Sequence, residues 1–239
     1  MKRRRERERE KGVEISRQGS IRTVGGRGVY VYNTMVERGQ NKGNGVQEKA
    51  TVLVTVGTTK FEALTRAADS PSLVRLLASQ GYNKLVLQIG SSETFFPSEL
   101  FGDGDALSSA NAGSGELSVT LPDGFEVTCF RYAPTLKDIM DEAGLVISHA
   151  GAGSIFESLR AGKRLIAVPN SDLMDNHQAD LCAHLKAEGY IEVADVDGLE
   201  RAVVRMAQRR RGEGAGDLKS YACDDGRGIA DAILTDAIL

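Results

Sequence analysis

The stretch HAGAGSIFE, residues 149–157, carries more chemical information than any other part of the chain. An apolar run ends there, and three small residues (Gly151, Ala152, Gly153) would let backbone approach a ligand closely before a helix expected to begin at Ser154. The free N–H groups and positive dipole end of a helix start favour an anion, and a diphosphate suits them. The same residues admit a plainer reading. Ser154 and Glu157 have the spacing of a capping box, in which the two side chains satisfy the orphan donors of the first turn.

Two further loops concentrate polar chemistry. In VGTTK, residues 56–60, Gly57 closes an apolar run and Thr58 and Thr59 place hydroxyls where a helix should start, as an anion cradle or as a simple N-cap. The loop lacks the Gly-Lys-Ser/Thr ending of a phosphate-loop nucleotidase, so ATP hydrolysis has no direct support. In NSDLMDNHQ, residues 170–178, the side chains of Asp175, Asn176, His177 and Gln178 offer the paired donors and acceptors that a hydroxyl-rich or uracil-bearing ligand needs. Helix capping by Asp175 or Asn176 would account for one of them.

Other chemistries fare less well. Gly151-x-Gly153 with Asp172 downstream suggests a dinucleotide fingerprint, but Phe156 stands where the third glycine belongs. A nicotinamide-dependent oxidoreductase is therefore the rival enzyme class, and a non-catalytic nucleotide-sugar-binding scaffold is a second rival. No metal site is expected. Cys182 and His184 differ by about 200° around a helix, and His177 and His184 stand about 10 Å apart, too far for one zinc.

The elements that must position these loops follow from apolar periodicity. TVLVTVG (51–57), KLVLQIG (84–90), FEVTCFRY (125–132), GLVISHAG (144–151) and RLIAVP (164–169) read as strands with their exit loops. Residues 60–79, 135–143, 154–162 and the run NHQADLCAHLKAEG have helical spacing, the last two closed by Gly162 and Gly189. Strands alternating with helices predict an α/β fold: a parallel sheet, Rossmann-like, with helices on both faces and ligands at the carboxyl ends of the strands.

Residues 50–208 are expected to form the one domain, with a small-residue insertion at about 101–118. Residues 1–49, rich in charge and Gly, are expected to be a disordered extension, and residues 209–239 a linker and C-terminal helix. In IADAILTDAIL (229–239) the apolar positions Ile229, Ile233 and Ala237, and again Ala230, Leu234 and Ile238, make a stripe that could dock on a partner or fold back on its own domain. A formal net charge of -3 and the absence of Trp argue against nucleic-acid binding. Cys129, Cys182 and Cys223 are odd in number and irregularly spaced, which fits a reducing compartment better than a disulfide framework. No apolar run approaches the roughly 18 residues that cross a bilayer.

With the three loops in view, residues from about 50 to 208 resemble the C-terminal domains of glycosyltransferase family 28, in the GT-B superfamily, and among them the catalytic subunits of the dolichol-linked UDP-N-acetylglucosamine (UDP-GlcNAc) transferase. The motifs that carry the likeness are VTVGTT (54–59), LVISHAGAGSIFESLRAGKRLIAVPN (145–170) and LMDNHQADL (173–181). They are also similar to the donor half of the bacterial lipid-linked murein glycosyltransferase and of plant galactolipid synthase. The resemblance implies that Gly57, Thr58 and the Gly153-Ser154 helix start hold a diphosphate, that Glu157 accepts from ribose hydroxyls, that Asp175, Asn176, His177 and Gln178 face the sugar and diphosphate, and that Thr59 and Gly151 also bind substrate. His149 belongs to the expected substrate-binding set and is a weak candidate for the general base, which in related folds usually comes from the acceptor side and so from the partner. It further implies UDP-GlcNAc as donor, a lipid-linked GlcNAc acceptor, no cofactor, and inversion at the anomeric carbon. The chain has room for the donor domain only, so a membrane-anchored subunit is expected to supply the acceptor domain and recruit this one to the cytosolic face of the endoplasmic reticulum.

Overall fold

The computed structural model describes residues 19–24, 27–32, 51–92, 95–102, 116–170, 176–213 and 216–221. The chain divides into two units, Met1–Gly45 and Val46–Leu239. In the first, β1 (Gly19–Val24) and β2 (Arg27–Tyr32) pair antiparallel, from Gly19 opposite Tyr32 to Val24 opposite Arg27. Both strands lie within residues 1–49, the segment expected to be an extension. Alternating Ile21, Thr23 and Val29, Val31 around Gly25-Gly26 supply the strand pattern and the turn signal.

The second unit is a seven-stranded sheet in the order β5-β6-β4-β3-β7-β8-β9. Its strands are β3 (Thr51–Thr55), β4 (Lys84–Gln88), β5 (Leu117–Thr120), β6 (Glu126–Phe130), β7 (Ala143–Ser148), β8 (Arg164–Ala167) and β9 (Glu192–Val193). All neighbours are parallel except β5 against β6. The apolar runs of β3, β4 and β7 bury both of their faces, as a doubly covered parallel sheet requires. Val52, Val54, Leu85, Leu87, Leu145 and Ile147 pack on one face with residues of α1 (Glu62–Ala68), α2 (Pro71–Ser79) and α7 (Leu199–Arg210). Leu53, Val86 and Val146 pack on the other with α4 (Lys137–Glu142), α5 (Ala152–Arg160) and α6 (Asn176–Ala187). A fully buried Leu53 contributes about 1.5–3 kcal/mol by leaving water.

Three details depart from the sequence expectation. Residues 60–79 form two helices rather than one: α1 ends at Ala68, and α2 starts at Pro71 after Ser70, which stands extended at the N-cap position without a side-chain cap bond, because proline restricts the residue before it to extended backbone. The insertion ends early, since Leu117 and Ser118 already belong to β5, which returns on β6 through a turn closed by Leu121 N–H to the Phe125 carbonyl at 2.9 Å. A short helix α3 (Ser98–Phe101) is held by Asp69, whose carboxylate accepts from the N–H groups of Glu99 and Leu100 at 3.1 and 3.0 Å. The apolar stripe at 229–239 lies outside the described residues. Among the described residues no helix is long and apolar enough to cross a membrane.

Candidate functional site

The order of the sheet sets the place of the site. From β3 the chain builds β4 and β6 to one side and then β7, β8 and β9 to the other, so the loops leaving β3 and β7 diverge and open a crevice at their carboxyl ends. At those carboxyl ends lie Gly57 and Thr58 after β3, and His149 to Gly151 and the start of α5 after β7.

Helix α5 begins at Ala152, two residues before the expected start at Ser154. Gly151 is its N-cap and no side chain caps it, so Ser154 is the third helical residue and Glu157 the sixth. The capping-box reading fails for that reason: a serine already inside the helix cannot cap it. The N–H groups of Ala152, Gly153 and Ser154 are left without intrahelical partners, by the geometry common to all helix starts. Gly153 and Glu157 are exposed and Ser154 is half-buried. A Cβ at Gly153 would meet nothing within 4 Å.

The first loop also corrects its plain reading. Helix α1 starts at Glu62 with Phe61 as N-cap, so neither Thr58 nor Thr59 caps it. Thr59 instead closes a tight turn, its hydroxyl donating to the Val56 carbonyl at 2.8 Å and its N–H to the same oxygen at 3.2 Å. Gly57 adopts φ 61, a left-handed conformation open to glycine at little cost. Its N–H donates to Thr55 Oγ1 at 3.0 Å, so Gly57 supplies the turn and not a free donor. Thr58 is exposed. Asn170, 5% exposed, donates through Nδ2 to the Lys60 carbonyl at 3.4 Å and ties the loop after β8 to the loop after β3.

His149 lies between the two loops. A Cβ on Gly57 would stand 2.9 Å from His149 Cε1, and one on Gly151 would collide with His149 Nε2. Both glycines are therefore packed against the imidazole. Burial pulls the His149 pKa below 6.5, which keeps the ring neutral near pH 7, as a base or a neutral hydrogen-bonding group requires. Ala150, between them, is fully buried and sits at φ 65, a conformation that costs a non-glycine residue about 1–2 kcal/mol.

Sequence reasoning missed the polar row beneath Gly57. Thr55 and Gln88 are 0% and 5% exposed, and the Thr55 hydroxyl donates to Gln88 Oε1 while Gln88 Nε2 donates to the Gly57 carbonyl at 2.9 Å. Ser148, in register with Thr55 on the far side, is fully buried with no partner for its hydroxyl. The signal was present: TVG and QIG each place one polar residue two positions before a strand-ending glycine. At the second of these, Gly90, a Cβ would strike the Thr59 carbonyl, so the two loops are in backbone contact. At the outer rim Glu62 pairs with Lys60 at 3.1 Å and accepts from Ser92 at 2.8 Å, and Arg131 reaches the Ser92 carbonyl.

Not every expected residue joins this cluster. Asp175 and its neighbours 171–174 lie outside the described residues; Asn176 and His177 open α6, and Gln178 is half-buried on its first turn. Further along α6, Cys182 is buried and His184 exposed, so they point apart as helical spacing requires. Among the described residues no group of acidic, His and Cys side chains could hold a metal ion.

A backbone-built anion cradle at the switch point of a parallel sheet is a feature of nucleotide-binding α/β proteins. Residues 51–215 match the family described as glycosyltransferase family 28 C-terminal domain, and the chain belongs to that family. It is 39% identical over 140 residues to the human UDP-N-acetylglucosamine transferase subunit ALG13, a match that takes in 59% of this chain and 10% of the human protein. It is 36% identical over 163 residues to the protein of the same name from Cryptococcus neoformans var. neoformans serotype D, covering 64% of this chain and 81% of that one. Solved structures similar to it include the NMR solution structure of ALG13, at 28% identity and TM-score 0.47 over 67% of this chain and 86% of that chain. Another is the crystal structure of Acinetobacter baumannii MurG, at 16% identity and TM-score 0.48 over 70% and 43%.

Proposed function

We propose that this chain is the donor-binding catalytic subunit of a two-protein enzyme that transfers N-acetylglucosamine from UDP-GlcNAc to GlcNAc-diphospho-dolichol. One observation carries the reading: the start of α5 is uncapped and bordered by Gly151 and Gly153, and Gly151 stands two residues after His149, whose ring packs against Gly57 of the loop after β3. Family membership and the name borne by its relatives support UDP-GlcNAc as the donor. The word subunit in that name supports a partner. That partner would be membrane-anchored, supply the acceptor half, and hold this chain at the cytosolic face of the endoplasmic reticulum.

In this reading the lipid-linked sugar hydroxyl attacks the anomeric carbon from the face opposite UDP, and configuration inverts. The N–H groups of Gly153 and Ser154 stabilise the departing diphosphate as preorganised dipoles, and the exposed Glu157 accepts from the ribose hydroxyls. Neutral His149 hydrogen-bonds the phosphates or takes the acceptor's proton. The test incubates the full chain with radiolabelled UDP-GlcNAc and lipid-linked GlcNAc, with and without membranes holding an acceptor subunit. Label in a lipid-linked disaccharide only when both are present supports the proposal. Absence of transfer together with no UDP binding by calorimetry overturns it.

A further inference from the structure

Buried polar side chains are expensive to place in a sheet unless they answer a need. Across the carboxyl end of this sheet the in-register residues are Phe130, Gln88, Thr55, Ser148 and Ala167 on β6, β4, β3, β7 and β8. Only the central positions are polar, and Thr55 and Gln88 among them are bonded to one another and to Gly57. Between them they hold both backbone polar atoms of that residue: its N–H donates to Thr55 Oγ1 at 3.0 Å and its carbonyl accepts from Gln88 Nε2 at 2.9 Å. The next residue, Thr58, is the exposed member of the turn.

We infer that Thr55 and Gln88 are positioning residues for the donor loop: by clamping the two sides of Gly57 from below, they fix the Thr58 peptide and hydroxyl at the height of the α5 N-terminus. The inference rests on the proposed donor reading and deepens it. A left-handed glycine is the softest link in the loop, because it is free to rotate between backbone wells unless bonded. Two hydrogen bonds to Gly57, made by buried side chains 33 residues apart on adjacent strands, remove that freedom and tie the turn to the rigid sheet. Sites placed on such rigid elements hold their ligand groups most accurately.

The test measures UDP affinity of the full chain by calorimetry, beside thermal unfolding, for wild type, Thr55→Val, Thr55→Ser and Gln88→Leu. Valine keeps the shape of threonine and loses its bonds, serine keeps the hydroxyl, and leucine removes both the bond to the Gly57 carbonyl and the acceptor of the Thr55 hydroxyl. Weakening of at least tenfold in folded Thr55→Val and Gln88→Leu, with Thr55→Ser within about threefold of wild type, supports the inference. Affinities within twofold of wild type in both folded variants overturn it, as does failure of serine to restore what valine loses. Should Thr55→Val not fold, Gln88→Leu decides; should neither fold, the pair is scaffold and the inference falls. Wild type that does not bind UDP overturns the donor reading itself, a result distinct from variants that bind as well as wild type.

Discussion

Replacing Gly153 with alanine separates the stability of the fold from its use. Gly153 is the second residue of α5, exposed, and a methyl there would meet nothing within 4 Å. Glycine in a helix is less favourable than alanine by about 0.5–1 kcal/mol, and in a first turn the lower figure applies. Gly153→Ala should therefore stabilise the chain by about 0.5 kcal/mol, a rise in Tm of about 1–2 °C for a domain of this size. Binding should move the other way. A phosphate oxygen resting on the N–H groups of Gly153 and Ser154 occupies the space the methyl takes. Losing one hydrogen bond to a charged group costs about 1.5–3 kcal/mol, roughly a ten- to hundredfold rise in Kd. Thermal unfolding followed by circular dichroism reads the first effect and calorimetry with UDP the second. A variant that is more stable and binds UDP as tightly as wild type would refute the placement of the diphosphate on α5. A less stable one would refute the open space around Gly153.

Three other outcomes follow from the same geometry. Gly57→Ala combines the left-handed backbone at φ 61 with a Cβ 2.9 Å from His149, and should lower the free energy of unfolding in urea by about 2–4 kcal/mol; a loss under 1 kcal/mol would mean the turn relaxes. Glu157→Ala, at an exposed helical site, should leave the urea midpoint nearly unchanged while weakening UDP binding, and undiminished affinity by calorimetry would count against its ribose role. For His149 the folded pKa lies below 6.5, so the unfolded chain binds the proton more readily. The stability tied to its neutral form is complete above about 6.5 and is lost as pH falls through 6.5 toward the folded value. Urea midpoints from about pH 8 to about pH 5 should therefore drop more steeply for wild type than for His149→Asn, and parallel slopes would sink the argument.

The strands were legible because buried parallel strands are continuous apolar runs, and a glycine marks where each of β3 and β4 must turn. The break at Pro71 was legible too, had the restriction on Ser70 been weighed against the helical spacing of Leu73, Leu76 and Leu77. The start of α5 was not: Ala152 and Gly153 look like loop residues, yet nothing prevents helical backbone there once Gly151 is extended at ψ 133. Thr55 and Gln88 were marked by their place two residues before a glycine, but their bonds to each other and to Gly57 were not, because only strand pairing brings those residues together. In β5 the alternation of LSVT and the Pro-Asp-Gly turn after it were hidden by the small polar residues before it.

Ala150 closes off most of mutational space at its position. Its methyl is fully buried in the core cluster that also holds Leu53, Val146 and Ile155, while its backbone occupies a region that larger residues strongly resist. Glycine would accept the angle but leave a methyl-sized hole and a looser unfolded chain to order. In a saturation library, then, position 150 should tolerate two small residues at most, and the wild-type one is a compromise between torsion and filling.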